Sequence, residues 1–124
     1  IRLDATGSCE DMSAFYYNGS TWLCTEQSGA RYAGTGWHHF AYIVDDTNNS
    51  QKLYVDGVEV GSSNYAASIS YSGLGSNTNI GREANGWTGA DFDGLIDEVK
   101  IWNYALTAEQ VRTEYAGGAV RFGE

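Results

Sequence analysis

The 124-residue sequence predicts an all-β fold with one short helix near the C-terminus, and three observations carry that reading. Sixteen glycines, no proline, nine tyrosines and four tryptophans, beside many Ser, Thr and Asn residues, disfavour helices and favour strands and turns. Two hairpin dipeptides, Asn18-Gly19 and Asp56-Gly57, sit between strand-like runs, and the segment from Gly94 to Trp102 alternates with a period of two. A chain of this length can bury one core and is short for two, so residues 1–124 are expected to form a single domain.

The first hairpin is expected over Ser13 to Tyr17 and Thr21 to Leu23 around Asn18-Gly19. Cys9 and Cys24 flank it, so the turn can bring them together, and a disulfide between them is expected. That bridge implies an oxidising compartment, whereas free buried thiols would permit a cytosolic one; two cysteines without a matching histidine pattern do not make a zinc site. From Trp37 to Val44 both alternating sets are apolar or aromatic, which predicts a central strand covered on both faces. A polar turn, Asp45 to Ser50, follows, and Lys52 to Val55 then meets Val58 to Val60 through Asp56-Gly57.

Residues 61 to 77 read as a loop with one short strand at Ala67 to Tyr71. Asn79 to Arg82 reads as another short strand, followed by a Gly/Asn-rich loop from Glu83 to Ala90 that carries Trp87. Between Gly94 and Trp102 the period of two sets Leu95, Asp97, Val99 and Ile101 on one side, which places Asp97 on an apolar face. Thr107 to Gln110 has capping-box spacing, and a short helix is predicted over Ala108 to Tyr115, closed by Gly117 and Gly118.

Five pieces in order carry a family resemblance: Gly36 to Phe40, Leu53 to Gly57, Asn79 to Gly81, Phe92 to Asn103, and Ala105-Leu106. Their spacing resembles the C-terminal half of LamG-like and pentraxin-like domains, jelly-roll sandwiches of the concanavalin A-like lectin/glucanase kind. The resemblance implies an antiparallel jelly roll whose N-terminal strands would lie upstream of Ile1. It leaves two ways to cover the open sheet edges: strands from a neighbouring chain, or an abbreviated closure. It also implies a non-catalytic extracellular module whose partner is a carbohydrate or a surface protein.

A net charge of −9 and a pI near 4.4 argue against nucleic acid and anionic membrane surfaces, because both need basic patches. The acidity serves solubility or holds calcium. No stretch is apolar enough to cross a bilayer and no signal peptide is present; with its start at Ile1 rather than Met, the chain reads as a piece of a longer secreted or surface product.

Glucanases of this fold resemble one another in carboxylates spaced along one strand, so that acid and nucleophile reach the same bond. The nearest match here, Asp97-Glu98, points to opposite faces of its strand, and Asp93 falls at the strand start, so no enzyme is expected. Asp97 is read as a structural acid that accepts backbone N–H bonds, with buried metal ligation as the alternative. Glu83 and Asn85 are similar in position to pentraxin-like calcium ligands, although Ala84 departs from the expected amide and the remaining ligands would lie upstream of Ile1. Asp45 with Asp46, or Asp91 with Asp93, form a second set of candidates.

His38 and His39 are consecutive in an extended segment and so face opposite ways, which suits packing rather than shared metal ligation. No Gly-x-Ser-x-Gly elbow or thiol-protease pattern occurs. Sugar recognition needs flat aromatic faces with planar polar side chains beside them. Trp87, Asn85, Arg82, Tyr65 and Trp22 form the expected ligand-binding set, with Tyr16, Tyr17 and Tyr71 as further aromatics. Asn18-Gly19-Ser20 and Asn48-Asn49-Ser50 match the N-glycosylation sequon. Two functions follow: a carbohydrate-binding or adhesive module, and alternatively a structural subunit of a filament, pilus or surface layer closed by self-assembly or strand donation from a neighbouring chain.

Overall fold

The computed structural model describes residues 2–5, 11–18, 20–27, 32, 34–65, 79–82 and 91–117. Its elements are β1 (Arg2–Ala5), β2 (Asp11–Tyr17), β3 (Trp22–Gln27), β4 (Phe40–Asp45), β5 (Ser50–Val55), β6 (Val58–Asn64) and α1 (Ala108–Tyr115). The chain divides into two compact units, Ile1–Ser70 with Tyr104–Glu124, and Tyr71–Asn103.

The first unit holds two antiparallel three-stranded sheets, ordered β1-β2-β3 and β4-β5-β6. Met12 and Ala14 of β2 pack on Leu53 and Val55 of β5, ringed by Tyr32, Phe40, Tyr42 and Val60. Burying side chains the size of Met, Leu and Val contributes about 1.5–3 kcal/mol each, so this cluster is the adhesive between the sheets. The opposite face of the second sheet is covered as well: Ile43 and Tyr54 pack on Leu106 and on Val111 of α1. That double cover explains the unbroken apolar run in β4. Among the described strands, however, β5 and not β4 holds the central place.

Both hairpins form where the dipeptides predict them. Asn18 closes the first by accepting at Oδ1 from the Ser20 and Thr21 amides, at 2.9 and 2.8 Å. In the second, Val55 pairs with Val58 across Asp56 and Gly57, both in the left-handed region (φ 50° and 76°), as a two-residue turn matched to strand twist requires. A register shift between Leu53 and Tyr54 then re-aims β6. It brings Gly61 so close to β3 that a Cβ there would lie 2.5 Å from the Glu26 carbonyl oxygen. A chain of buried polar contacts also crosses between the sheets. The Tyr42 hydroxyl donates to Gln51 Oε1 (2.5 Å), Gln51 Nε2 to Ser63 Oγ (2.8 Å), and Ser63 Oγ to the Cys24 carbonyl (3.2 Å).

The expected strand from Trp37 begins only at Phe40, because the two preceding histidines are engaged by Asp56. The helix has the expected bounds and a complete capping box: Gln110 N donates to Thr107 Oγ1 and Thr107 N to Gln110 Oε1. β1 was not expected; it pairs antiparallel with β2 through Arg2–Ser13 and Ala5–Asp11.

In the second unit the described residues differ from expectation. Neither Asn79–Arg82 nor the run from Gly94 to Trp102 is a strand. The Gly81 carbonyl accepts instead from the Phe92 amide (2.7 Å), and Glu98 adopts a positive φ of 48°, which breaks the pleat. Leu95 and Ile101, on the side expected to be buried, are 77% and 85% exposed. Asp97 is exposed too, and its Oδ1 accepts from the adjacent Glu98 amide (2.8 Å), so it caps its own bend and not a buried loop. Alternation marks what a strand would bury, and no described strand pairs with this run. The strand expected at Ala67 to Tyr71 lies outside the described residues.

Candidate functional site

Register decides which aromatics of the first hairpin reach solvent. Tyr17 pairs with Trp22 and Phe15 with Cys24, so Phe15, Tyr17 and Trp22 share the sheet face opposite Met12 and Ala14. Trp22 is 61% and Tyr17 44% exposed. The Trp22 ring stands edge-on to Phe15 (centroids 5.5 Å apart, 88°) and tilted against Tyr17 (5.2 Å, 48°). Two side-chain bonds from Asn18 hold the turn beneath them. The result is a fixed, open aromatic face, the kind of surface that stacks against the C–H side of a ring-shaped ligand.

A cleft of about 380 Å³ opens on the other side of the unit, between the β4–β5 hairpin and the start of α1. Ile43 and Leu106 belong to its lining, as do Asp45, Asn48, Ser50 and Lys52. Asp45 accepts from the Thr47 and Asn48 amides (3.0 Å each) and from Asn48 Nδ2 (2.7 Å); the Asn48 bonds, side chain first, hold its carboxyl below the usual range. Lys52 Nζ donates to Glu59 Oε2 (3.0 Å), which the Tyr54 hydroxyl also approaches (3.1 Å). These bonds hold the sheet side of the cleft.

A third cluster ties the second hairpin to the segment before β4. His38 Nδ1 lies 2.7 Å from Asp56 Oδ2, the His39 amide donates to Asp56 Oδ1 (2.9 Å), and Thr35 Oγ1 lies 2.8 Å from His38 Nε2. Desolvation works to raise the Asp56 carboxyl, but the bonds from His38 and His39 outweigh it and hold the group below the usual range. The His39 ring packs elsewhere, against Tyr115 at 5.9 Å, so the two imidazoles do diverge. This cluster clamps a turn.

Of the expected ligand-binding residues, Trp22 lies on the open aromatic face. Tyr65 does not join it. It is 7% exposed, its ring packs on Tyr16 (5.0 Å), and its hydroxyl donates to the Asp45 carbonyl (3.1 Å), so its place is internal. Arg82 is exposed in the second unit, while Trp87, Asn85 and Glu83 lie outside the described residues. Cys24 sits half-buried in β3, and Cys9 lies outside the described residues. Among the described residues no group of three or more His, Cys, Asp or Glu side chains is placed to hold a metal ion, and Asp45 holds its own turn. Tyr17 is one of the further aromatics that the sequence offers, whereas nothing in the sequence marks the cleft residues Ser50 and Lys52 beyond the polar turn beginning at Asp45.

A laminin-G profile described as the concanavalin A-like lectin/glucanases superfamily matches residues 1–112. No curated protein matches the chain. Among solved structures the chain is similar to an S-layer domain-containing protein from Clostridium thermocellum, at 25% identity and a TM-score of 0.57. The likeness covers 80% of this chain and 46% of the other, so the chain spans about half the length of that neighbour.

Proposed function

The chain belongs to the concanavalin A-like lectin/glucanases superfamily, and from that premise we propose that it is an extracellular, non-catalytic recognition module that binds carbohydrate through its Trp22–Tyr17 face. The observation that carries the reading is the exposure of Trp22 on a face whose rings are held by Phe15 and the Asn18 turn. A preordered aromatic stacks on a sugar without ordering itself first, which lowers the entropic cost of binding. Asp97 accepts from the adjacent Glu98 amide, which supports reading it as an acid that holds its own backbone. A glycan array probed with the chain is the test: binding to a defined glycan set is expected, and a blank array together with release of reducing ends from a glucan would sink the proposal.

An extracellular place goes with a Cys9–Cys24 bridge. Alkylation is expected to label both cysteines only after reduction; labelling of the untreated native chain would remove this support. A second reading is favoured by the S-layer domain-containing neighbour: the module sits within a surface assembly and binds a surface protein or a further copy. Sedimentation velocity separates the two, since a monomer supports the glycan module and a regular oligomer the assembly.

A further inference from the structure

The cluster that clamps the β5–β6 turn has a second property, set by where its protons sit. Desolvation works to raise the Asp56 carboxyl, yet the bonds from His38 and His39 hold it below the usual range, so at neutral pH it is ionised and only accepts. The 2.7 Å contact between Asp56 Oδ2 and His38 Nδ1 therefore needs its proton on the nitrogen. In the neutral imidazole this leaves a lone pair on Nε2, which faces Thr35 Oγ1 at 2.8 Å. The Thr35 hydroxyl also lies 2.6 Å from the Tyr32 carbonyl, to which it can donate. That carbonyl accepts from the Thr35 amide as well (3.2 Å), so it keeps a donor when the hydroxyl turns its proton to Nε2. Hydroxyl, imidazole and carboxylate then stand in the order that activates a hydroxyl for attack on a carbonyl: a nucleophile on a base, and the base on an orienting acid.

The base is braced and the nucleophile is open. Tyr32 stands edge-on to the His38 ring (centroids 5.0 Å apart, 67°), and its own hydroxyl donates to Gln27 Oε1 of β3 (2.6 Å), so the imidazole rests on a ring that is itself anchored. Thr35, by contrast, is exposed and lies between Gly34 and Gly36, whose φ values are 75° and 107°. A Cβ at either glycine would meet nothing within 4 Å. An acyl carbonyl can thus approach Oγ1 without meeting a side chain from either neighbour.

We propose that Thr35 is a covalent modification site whose hydroxyl is acylated by an activated ester. Thr35 Oγ1 attacks the acyl carbonyl while its proton passes to His38 Nε2; the bond from the acyl carbon to the leaving oxygen then breaks, and His38 returns the proton to that oxygen. One Oγ1–acyl bond forms for one ester bond broken, with no oxidant or reductant. The product is an ester of an alkyl alcohol, less electrophilic than the donor, so the reaction stops after one acyl group and marks the module without turnover. Asp56 acts through His38 as a positioning residue. The Trp22 face takes no part, so this site stands whether or not that face binds carbohydrate.

The test is incubation of the whole chain with p-nitrophenyl acetate at neutral pH, with acetyl incorporation followed residue by residue by peptide mass spectrometry and the Tm of each variant as a control for folding. Thr35 is expected to be acylated about tenfold or more faster than Ser20 and Thr47, which are also exposed hydroxyls, and unactivated ethyl acetate should leave no adduct. Thr35→Ser should keep the adduct and Thr35→Val should lose it. His38→Ala should slow acylation of Thr35 roughly a hundredfold, and Asp56→Asn roughly tenfold. Free imidazole should restore part of the Thr35 rate in His38→Ala relative to the rate at Ser20, a rescue that a merely structural histidine would not show. Acylation of Thr35 no faster than that of Ser20 and Thr47 in the native chain would overturn the inference, as would an unchanged Thr35 rate in folded His38→Ala or the lack of imidazole rescue. The native-chain comparison decides even where a histidine variant does not fold.

Discussion

Replacing Asp56 with alanine removes one carboxylate that performs two tasks and leaves, at a left-handed position, a residue that tolerates it less well than aspartate. The His38 Nδ1 contact at 2.7 Å and the His39 amide bond at 2.9 Å both end on it. A donor left without its acceptor costs about 1–3 kcal/mol, and since both histidines are only half-buried the lower part of that range applies to each. Alanine at φ 50° adds about 1 kcal/mol of backbone strain. The expected loss is about 3 kcal/mol, which for a domain of this size lowers Tm by roughly 9–15 °C. Asp56→Asn tolerates the left-handed conformation and still offers one oxygen to the His39 amide, so it should lose only about 1 kcal/mol. Asp56→Gly relieves the strain but accepts nothing, and should fall between the two. Thermal and urea unfolding followed by circular dichroism measure all three. An alanine variant within 0.5 kcal/mol of the native chain (about the error of the method), or an asparagine variant as damaged as alanine, would refute the clamp.

Other consequences follow from the same contacts. Gly61→Ala sets a methyl group 2.5 Å from the Glu26 carbonyl and must separate β6 from β3, so a loss of about 2 kcal/mol or more is expected in chemical unfolding. The carboxyls of Asp45, Asp56, Glu59 and Glu109 are all held below their ordinary range. Depressed folded-state values mean that their stabilisation is present above the unfolded carboxylate range and is lost as pH falls through the folded values; Tm should be nearly flat from about pH 7 to 5 and drop below about pH 4. Burial raises the Tyr42 and Tyr54 phenols, whose contribution is full below about pH 10 and declines above it, so Tm should fall again in alkali. Calcium, where it contributes, is proposed to be held by Glu83 and Asn85. Millimolar calcium should then raise Tm by a margin lost in Glu83→Gln, and an unchanged Tm would remove calcium from the account.

What the sequence disclosed was what short-range chemistry decides. Asp56-Gly57 demands two consecutive left-handed residues and little else can supply them, so that hairpin and its neighbours were legible, as was the helix start at Thr107. β1 escaped because its four residues alternate over too short a stretch to mark a strand by themselves; its pairing with β2 sets it. The aromatic run from Trp37 looks like strand throughout, yet Asp56, distant in sequence, draws His38 and the His39 amide out of the ladder. Asp97 shows the limit of periodicity most plainly: the pattern was real, but the described residues provide no partner strand to bury it. Tyr65 and Trp22 were indistinguishable as aromatics near loops; only the register of β2 with β3, and the packing of Tyr65 on Tyr16, separated an inner ring from an outer one. The cleft could not be read because Ser50 and Lys52 meet Ala108 only after α1 folds back onto the second sheet.

The central claim is that the Trp22–Tyr17 face is where the chain meets its ligand. Isothermal titration of the glycan identified on an array into the native chain and into Trp22→Ala measures this directly, with Trp37→Ala as a control that removes another exposed tryptophan. The account predicts that Trp22→Ala weakens binding about tenfold or more, equivalent to ~1.4 kcal/mol, while its Tm and the affinity of Trp37→Ala stay near the native values. Equal affinity in the native chain and Trp22→Ala would contradict it.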